Sequence, residues 1–409
     1  MPAHQYLAAL TALLGLCAAH ADAQTIRFAT FNASLNRTSM GALARDLARP
    51  DNPQANVIAE IIQRVRPDVL LINEFDYDAA QDSLRLFRRN YLERPHGAAR
   101  AIHYAFAFSA PVNTGVPSGF DLDHDGRIGG GGDALGFGAF PGQYGMLVLS
   151  RYPIELSAVR TFQHFLWRDM PEAAWPDDPA TAAPADWYTP AMQAVLPLSS
   201  KSHWDLPLRI DGQIVHLLVS HPTPPVFDGA EDRNGRRNHD EIRLWADYIS
   251  PGGAAYLYDD KGQHGGLDAA ARFVIMGDEN ADPVDGGSFE GAILQLLHHP
   301  RVAAGPAPRS AGALQAALRQ RKANDHQHGD AAEDTADFDD ISSGNLRADY
   351  VLPSVGLRLC ANGIFWPRPA APLWRLVNDD TRASSDHRLV WADISLKSQC
   401  RRNSIPTGQ

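Results

Sequence analysis

Short apolar runs that stop abruptly at a polar residue recur along this chain, and that punctuation limits what it can fold into. The runs span residues 26–31, 69–72, 104–108, 146–149, 206–210, 214–219, 273–276, 350–352 and 389–394. Brief apolar runs bounded by polar or turn residues predict buried strands. Helical patterns lie between them. Asn52 before Pro53 predicts an N-cap and first turn for a helix with Ile58, Ile61, Ile62 and Val65 on one face. Asn238 with Glu241 predicts a second helix start, ended by Pro251-Gly252-Gly253, and a third helix is expected over residues 288–298. Strands this numerous, with helices that do not strictly alternate with them, predict an α/β protein of two packed mixed β-sheets with helices outside.

The apolar stretch 6–19 is too short to span a bilayer and reads as the core of an export signal, cut after Ala21-Asp22-Ala23. A lipoprotein anchor on Cys17 is the weaker alternative, because Leu16 stands where a small residue should precede it. Residues 1–23 are thus expected to be a signal peptide, 24–400 one domain and 401–409 a flexible tail. Segments 111–142, 168–190 and 303–344 read as insertions or long loops. The protein is expected to be a periplasmic or secreted monomer, with no integral membrane span. In such a compartment Cys360 and Cys400 are easily paired as one disulfide, with two free thiols as the alternative. The net charge is −11, and only four of the 37 basic residues are lysines. That balance argues against a protein that holds nucleic acid mainly through a basic surface.

The polar residues that end the apolar runs are of one kind. Asn32 closes the first run, Asn73-Glu74 the second, Ser220-His221 the one after residue 214, and Gly277-Asp278-Glu279-Asn280 the one after residue 273. Asp349 opens one later run and Ser385-Asp386-His387 precedes another. A carboxylate beside buried hydrocarbon is costly unless compensated, so several together imply a shared cation. Phosphoester hydrolysis needs a cation, amide or imidazolium donors and a base for water, and these residue types supply all three. Singly, each has a plainer reading: a strand-end salt bridge for Glu74, turns for Asn32 and Asn280, a pair with Arg347 for Asp349.

Together they resemble the endonuclease/exonuclease/phosphatase superfamily, in a secreted bacterial form. Its members include pancreatic-type deoxyribonucleases, abasic-site endonucleases, inositol polyphosphate phosphatases and bacterial sphingomyelinases. Seven motifs stand in the family order over residues 25–394: Thr30-Phe31-Asn32, Leu71-Ile72-Asn73-Glu74, Leu149-Ser150-Arg151-Tyr152-Pro153, Ser220-His221, Met276-Gly277-Asp278-Glu279-Asn280-Ala281-Asp282, Asp349-Tyr350-Val351-Leu352 and Ser385-Asp386-His387. The resemblance implies a four-layered α/β sandwich and a Mg²⁺ (or Mn²⁺) ion held principally by Glu74, with Asn32 and Asp386 close to it. It further implies that His387, oriented by Asp349, faces the scissile phosphate. Asp278 and Asn280 would position water and a phosphate oxygen, and His221 is a candidate acid for the leaving oxygen. Which group takes the water proton stays open. Two departures stand out: Glu279 replaces the usual aromatic, altering the packing or adding a carboxylate near the metal, and ahead of Ser150, where relatives place a Tyr or Glu that contacts phosphate or a histidine, this chain offers Gln143 and Tyr144, either of which could do that work.

Two further features lie outside those motifs. Asp121-Leu122-Asp123-His124-Asp125-Gly126-Arg127 has the alternating carboxylates of an EF-hand-type loop, which predicts structural Ca²⁺ at Asp121, Asp123 and Asp125 with the Arg127 carbonyl and Asp133. A solvated acidic turn is the alternative. Arg233, Arg236 and Arg237 are candidates for substrate phosphate, against salt bridges to Asp232 and Asp240, and Lys201-Ser202-His203 is a weaker candidate for the cleft. The six acidic residues within 330–340 read as a solvated loop. The reaction expected is metal-assisted attack of water on a phosphodiester in nucleic acid. The alternatives are a phosphomonoesterase on a small organic phosphate such as an inositol phosphate, which the acidic charge favours, and a binding module without activity on the same fold.

Overall fold

The structure, a computed structural model, describes residues 25–380, 383–397 and 399–400. The expected signal peptide and the tail from 401 lie outside the described residues. The strands in chain order are β1 (Thr25–Leu35), β2 (Val69–Phe75), β3 (Phe106–Phe108), β4 (Met146–Ser150), β5 (Arg160–Thr161), β6 (Trp204–Ile210), β7 (Gln213–Ser220), β8 (Arg272–Asp278), β9 (Ala336–Asp337), β10 (Asn345–Leu346), β11 (Asp349–Pro353), β12 (Arg358–Ile364) and β13 (Val390–Ser395). Six form a sheet in the order β12-β13-β1-β2-β4-β3, five form a second in the order β11-β8-β7-β6-β5, and β9 pairs with β10. Both large sheets are mixed: β1 runs parallel to β2 and β7 parallel to β8, while the other pairs are antiparallel.

Side chains alternate across each strand, so each sheet has two faces. The inner faces meet through Ile26 and Phe28 of β1, Val69 and Leu71 of β2, Leu217 and Val219 of β7, and Val274 and Met276 of β8. On the outer face of the first sheet, Phe31, Leu70 and Ile72 pack on α1 (Ala42–Leu47), α2 (Pro53–Val65) and α3 (Asp82–Phe87). A short α4 (Pro190–Gln193) follows, and on the outer face of the second sheet Leu218, Phe273 and Ile275 pack on α5 (Arg233–Ile249) and α6 (Leu294–Leu297). The later α7 (Ala311–Gln320) returns to the first sheet through Ala313 and Ala316. The result is the expected four layers: helices, sheet, sheet, helices.

Local chemistry sets the helix ends. Asn52 caps α2, its side chain accepting from Ala55 N at 3.0 Å. The second expected start is corrected: α5 begins at Arg233, and Asn238 lies inside it, fully buried, donating to the carbonyls of Thr223 and Glu279 at 2.8 and 2.9 Å. The third expected helix is broken in two, because Glu290 and Gly291 both adopt left-handed backbone angles ahead of α6. Cys360 and Cys400 form a disulfide that ties β12 to the chain beyond β13. Among the described residues no helix is long and apolar enough to cross a membrane.

His203 sits under α5, where Glu241 O can only accept, so Nε2 carries the proton at 2.9 Å. Burial pushes this imidazole from 6.5 down to about 4. The unfolded chain therefore binds a proton that the folded chain refuses between those values, and stability is full above pH 6.5 and falls as pH drops. The loss reaches about 3 kcal/mol at pH 4. Denaturant unfolding at pH 7 and pH 4 checks this: His203→Gln should shrink the difference between the two by about that amount, and an unchanged difference would refute the assignment.

Candidate active site

The alternation that builds the inner core also builds the site. On β1 the inward positions read Phe28, Thr30, Asn32; on β2 Val69, Leu71, Asn73; on β8 Val274, Met276, Asp278. On β7 Val215, Leu217 and Val219 lead to His221 just beyond the strand. Each inner face turns from hydrocarbon to polar groups at the C-terminal end of its strand. Because β1 is parallel to β2 and β7 to β8, the switch falls at one edge of the sandwich. Asn73 joins the two sheets there: its Oδ1 accepts from Thr30 Oγ1 (3.3 Å) and Asp278 N (3.4 Å), and its Nδ2 donates to Ser220 O (3.3 Å). Ser34, Glu74 and Asn280 at these strand ends have positive φ, a strained conformation for residues with a Cβ and one found disproportionately at functional sites.

Asp278 is the hub. Its Oδ2 accepts from Asn32 Nδ2 at 3.0 Å and lies 3.4 Å from His221 Nε2 and 3.5 Å from His387 Nε2. Its Oδ1 accepts from Asn280 N at 3.0 Å. His387 Nδ1 is 2.9 Å from Asp349 Oδ2, so the alternative partner Arg347 is not used; that guanidinium stacks over the Tyr350 ring instead. Burial pushes the two histidines down, but Asp349 and Asp278 more than offset it at His387, which ends well above the usual imidazole range. His221 ends well below it, lowered by burial and then by Lys201 and His387. The same site therefore pushes its two imidazoles in opposite directions.

Glu74 is held by two amides, Asn32 Nδ2 to Oε1 (3.1 Å) and Asn36 Nδ2 to Oε2 (2.7 Å). Burial and then the neighbouring Asp386 push its carboxyl up. Asp386 Oδ1 accepts from Ser34 Oγ at 3.2 Å, and Asp386 lines the same cleft. Glu74 with amide partners and Asp386 with hydroxyl partners, neither paired with a cation among the described residues, are a hard-oxygen donor set suited to a divalent ion. Asn32 differs from expectation in detail: its oxygen accepts from Ser34 N at 3.1 Å, so it meets the carboxylates through its NH₂. Asp278, Asp349 and His387 also bring ligand-type atoms within 4.8 Å of one another, but there Nδ1 of the ring is engaged with Asp349, an arrangement that orients an imidazolium.

Other expected site residues are placed elsewhere. Gln143 is a buried strut, its amide bridging Ala139 N and Arg37 O at 2.7 Å each, whereas Tyr144 lines the cleft. Arg236 lies over the Phe289 ring and donates to Trp175 O at 3.3 Å, and Arg237 donates to the carbonyls of Leu198, Leu135 and Pro197. Arg233 lines the cleft but is held by Glu231. Glu279 faces away from the metal set, beneath α5, where Ser220 Oγ meets both its oxygens and burial pushes it up to about 8. In the acidic loop, Asp121, Asp123 and Asp133 bring their oxygens within 4.8 Å of one another, while Asp125 is exposed and accepts from Arg127 N.

The segment 330–340, expected as a solvated loop, is exposed at Asp330 and Asp339 but buried at Asp334, Thr335 and Asp337. Thr335 is fully buried; its hydroxyl donates to Asp349 Oδ2 at 2.8 Å and accepts from Ala348 N and Asp349 N at 3.0 Å. Asp337 N donates to Asp386 O at 2.7 Å, Arg388 N donates to Thr335 O at 2.8 Å, and Arg388 pairs with Asp337 at 2.9 Å. The segment clamps the Asp386-His387 loop, a role no sequence pattern here announced.

A buried imidazolium–carboxylate pair facing a carboxylate set suited to a divalent ion defines a metal-assisted phosphoester hydrolase. The chain belongs to the endonuclease/exonuclease/phosphatase family, whose sequence profile matches residues 29–387, and it is a metal-dependent phosphoric ester hydrolase. Among solved structures it is similar to an endonuclease/exonuclease/phosphatase from Beutenbergia cavernae, at 16% identity and TM-score 0.48 over 91% of this chain and 72% of that one. It is also similar to an AP endonuclease from Archaeoglobus fulgidus (12% identity, TM-score 0.42, 90% and 98% covered) and to sphingomyelinase C from Streptomyces griseocarneus (14%, 0.42, 90% and 99%). No curated protein matches this chain.

Removing the Thr335 hydroxyl should loosen Asp349 and with it His387. Thr335→Val is expected to lower kcat roughly 10- to 100-fold, the range of one hydrogen bond to a charged group. Thr335→Ser, which keeps the donor, should retain most of the activity. Equal rates for the two variants in steady-state assays would refute the positioning role.

Proposed function

We propose that this protein is an exported Mg²⁺-dependent phosphodiesterase acting on nucleic acid. The observation that carries the reading is the Asp278 oxygen shared between two histidines, Nε2 of His221 at 3.4 Å and of His387 at 3.5 Å. Magnesium, held by Glu74 and Asp386, would supply Lewis-acid stabilisation of the charge that develops on phosphate. The remaining roles belong to side chains. His387, held cationic by Asp349, donates to a non-bridging oxygen, and Asn280 orients it. Asp278, among those donors, receives the proton of the attacking water. His221 rests neutral, so it must first take up a proton before it can give one to the leaving oxygen, and Asp278 lies on that route.

A second reading, hydrolysis of a small organic phosphate, is favoured by the charge of the cleft. That cleft holds about 1540 Å³, and among the described residues it is lined by ten carboxylates against four lysine or arginine side chains, an unfavourable wall for a polyanion. Export is supported by the Cys360–Cys400 disulfide. Ca²⁺ is proposed at Asp121, Asp123 and Asp133.

Product release by the mature protein from plasmid DNA, bis-p-nitrophenyl phosphate and inositol hexakisphosphate, with Mg²⁺ or EDTA, tests the reading. Diester hydrolysis should require the metal, and His387→Ala should lose on the order of 10²- to 10⁴-fold. Phosphate release from the inositol substrate alone would favour the second reading, and activity unaffected by EDTA would refute both. For the acidic loop, Ca²⁺ should raise the melting temperature, and Asp121→Asn should abolish that rise; a rise that survives the substitution would place the ion elsewhere.

A further inference from the structure

We propose that Lys201 is the cation that holds the scissile phosphate, an assignment that rests on the phosphoesterase reading above. Among the described residues, four lysine or arginine side chains line the cleft, and three of them are engaged. Arg237 donates to three backbone carbonyls, Arg233 is bound by Glu231, and Arg319 by Asp379. Lys201 is different. The residue is only 6% exposed, and its ammonium makes one hydrogen bond, to Pro222 O at 3.3 Å, and forms no ion pair with a described carboxylate. An ammonium carries three donors, so two are spare in a place where water is largely excluded. Burying an ammonium without a close partner is unfavourable, and a ligand anion relieves that cost.

The fold aims the group. Lys201 lies three residues before Trp204, whose partner across the β6–β7 pair is Val219. This sets Lys201 opposite the chain that leaves β7 through His221 and Pro222. The Pro222 carbonyl that accepts from Lys201 Nζ also accepts from Asn280 Nδ2, at 3.1 Å. One carbonyl therefore gathers the ammonium and the amide beside His221 and Asp278. Burial pushes the Lys201 ammonium below its usual range, opposed first by Glu241 and then by Glu74 and Asp278, and Lys201 in turn lowers His221 after burial has done so.

A phosphodiester carries one negative charge over two non-bridging oxygens, and a second develops as water attacks. Two spare N–H donors on a point charge suit such a group. Among the described residues, one lysine or arginine without an ion-pair partner in an otherwise acidic cleft matches one phosphate, not a row of them. Recognition should therefore depend little on flanking phosphates.

The test uses inorganic phosphate on the Mg²⁺-loaded protein. The chain has four lysines, so selective ¹³Cε-lysine labelling gives a spectrum in which Lys201 is identified by its loss in Lys201→Arg. Phosphate should shift that resonance and leave Lys261 and Lys322 unmoved. In assays with bis-p-nitrophenyl phosphate, Lys201→Met should raise KM and the phosphate inhibition constant roughly 10- to 100-fold, with Lys201→Arg recovering most of the loss. A Lys201 resonance that does not move while calorimetry registers phosphate binding would overturn the proposal, as would a folded Lys201→Met with wild-type KM. The spectrum is read on the intact chain, so it decides the matter even if Lys201→Met fails to fold. A wild-type protein inert on every phosphoester would instead strike at the phosphoesterase reading, which the phosphate titration tests separately.

Discussion

One carboxylate oxygen organises this molecule's chemistry. Asp278 Oδ2 is shared by Asn32, His221 and His387, which arrive from β1, from the end of β7 and from the loop before β13. An anion buried this deeply is tolerated because three polar nitrogens surround it. Those nitrogens can converge only if the two sheets meet in one register. Asn73 enforces that register: it is the side chain that touches β1, β8 and the carbonyl at the end of β7 at once. Catalytic geometry and sheet packing are one constraint seen from two sides.

Much of this was legible before the structure, for a physical reason. A strand alternates strictly, so the inward parity of Phe28, Thr30 and Asn32, or of Val274, Met276 and Asp278, marks where an apolar face turns polar. Motif order added the pairing of His387 with Asp349. What escaped the sequence was whatever depends on contacts between distant segments. The acidic residues of 330–340 have the composition of a solvated loop, yet Thr335 and Asp337 are buried because Arg388 and Asp349 await them more than ten residues downstream. The arginines Arg236 and Arg237 have the composition of a phosphate clamp, yet backbone carbonyls across the fold occupy them. Composition describes what a side chain can bind, and topology decides which partner reaches it first.

Helix α5 illustrates the same point. Asn238 looks like a cap in a string of letters. Inside the helix it becomes a tie, its amide joining the carbonyls of Thr223 and Glu279 and so anchoring the two loops that carry His221 and Asn280. The helix serves as a brace for the active-site edge as well as a cover for the second sheet.

The clamp on His387 is built differently from everything around it. The two large sheets share long ladders and an apolar interior, but β9 and β10 pair over only two residues each, and the loop carrying Asp386 and His387 is fastened by a handful of bonds, from Thr335, Asp337 and Arg388 on one side and from Ser385 to Asn32 O on the other. Segments with so few cross-links open more readily than the body that carries them. The enzyme's working range is therefore bounded by its weakest fastener, and heat or denaturant would silence it while the sandwich itself still stood.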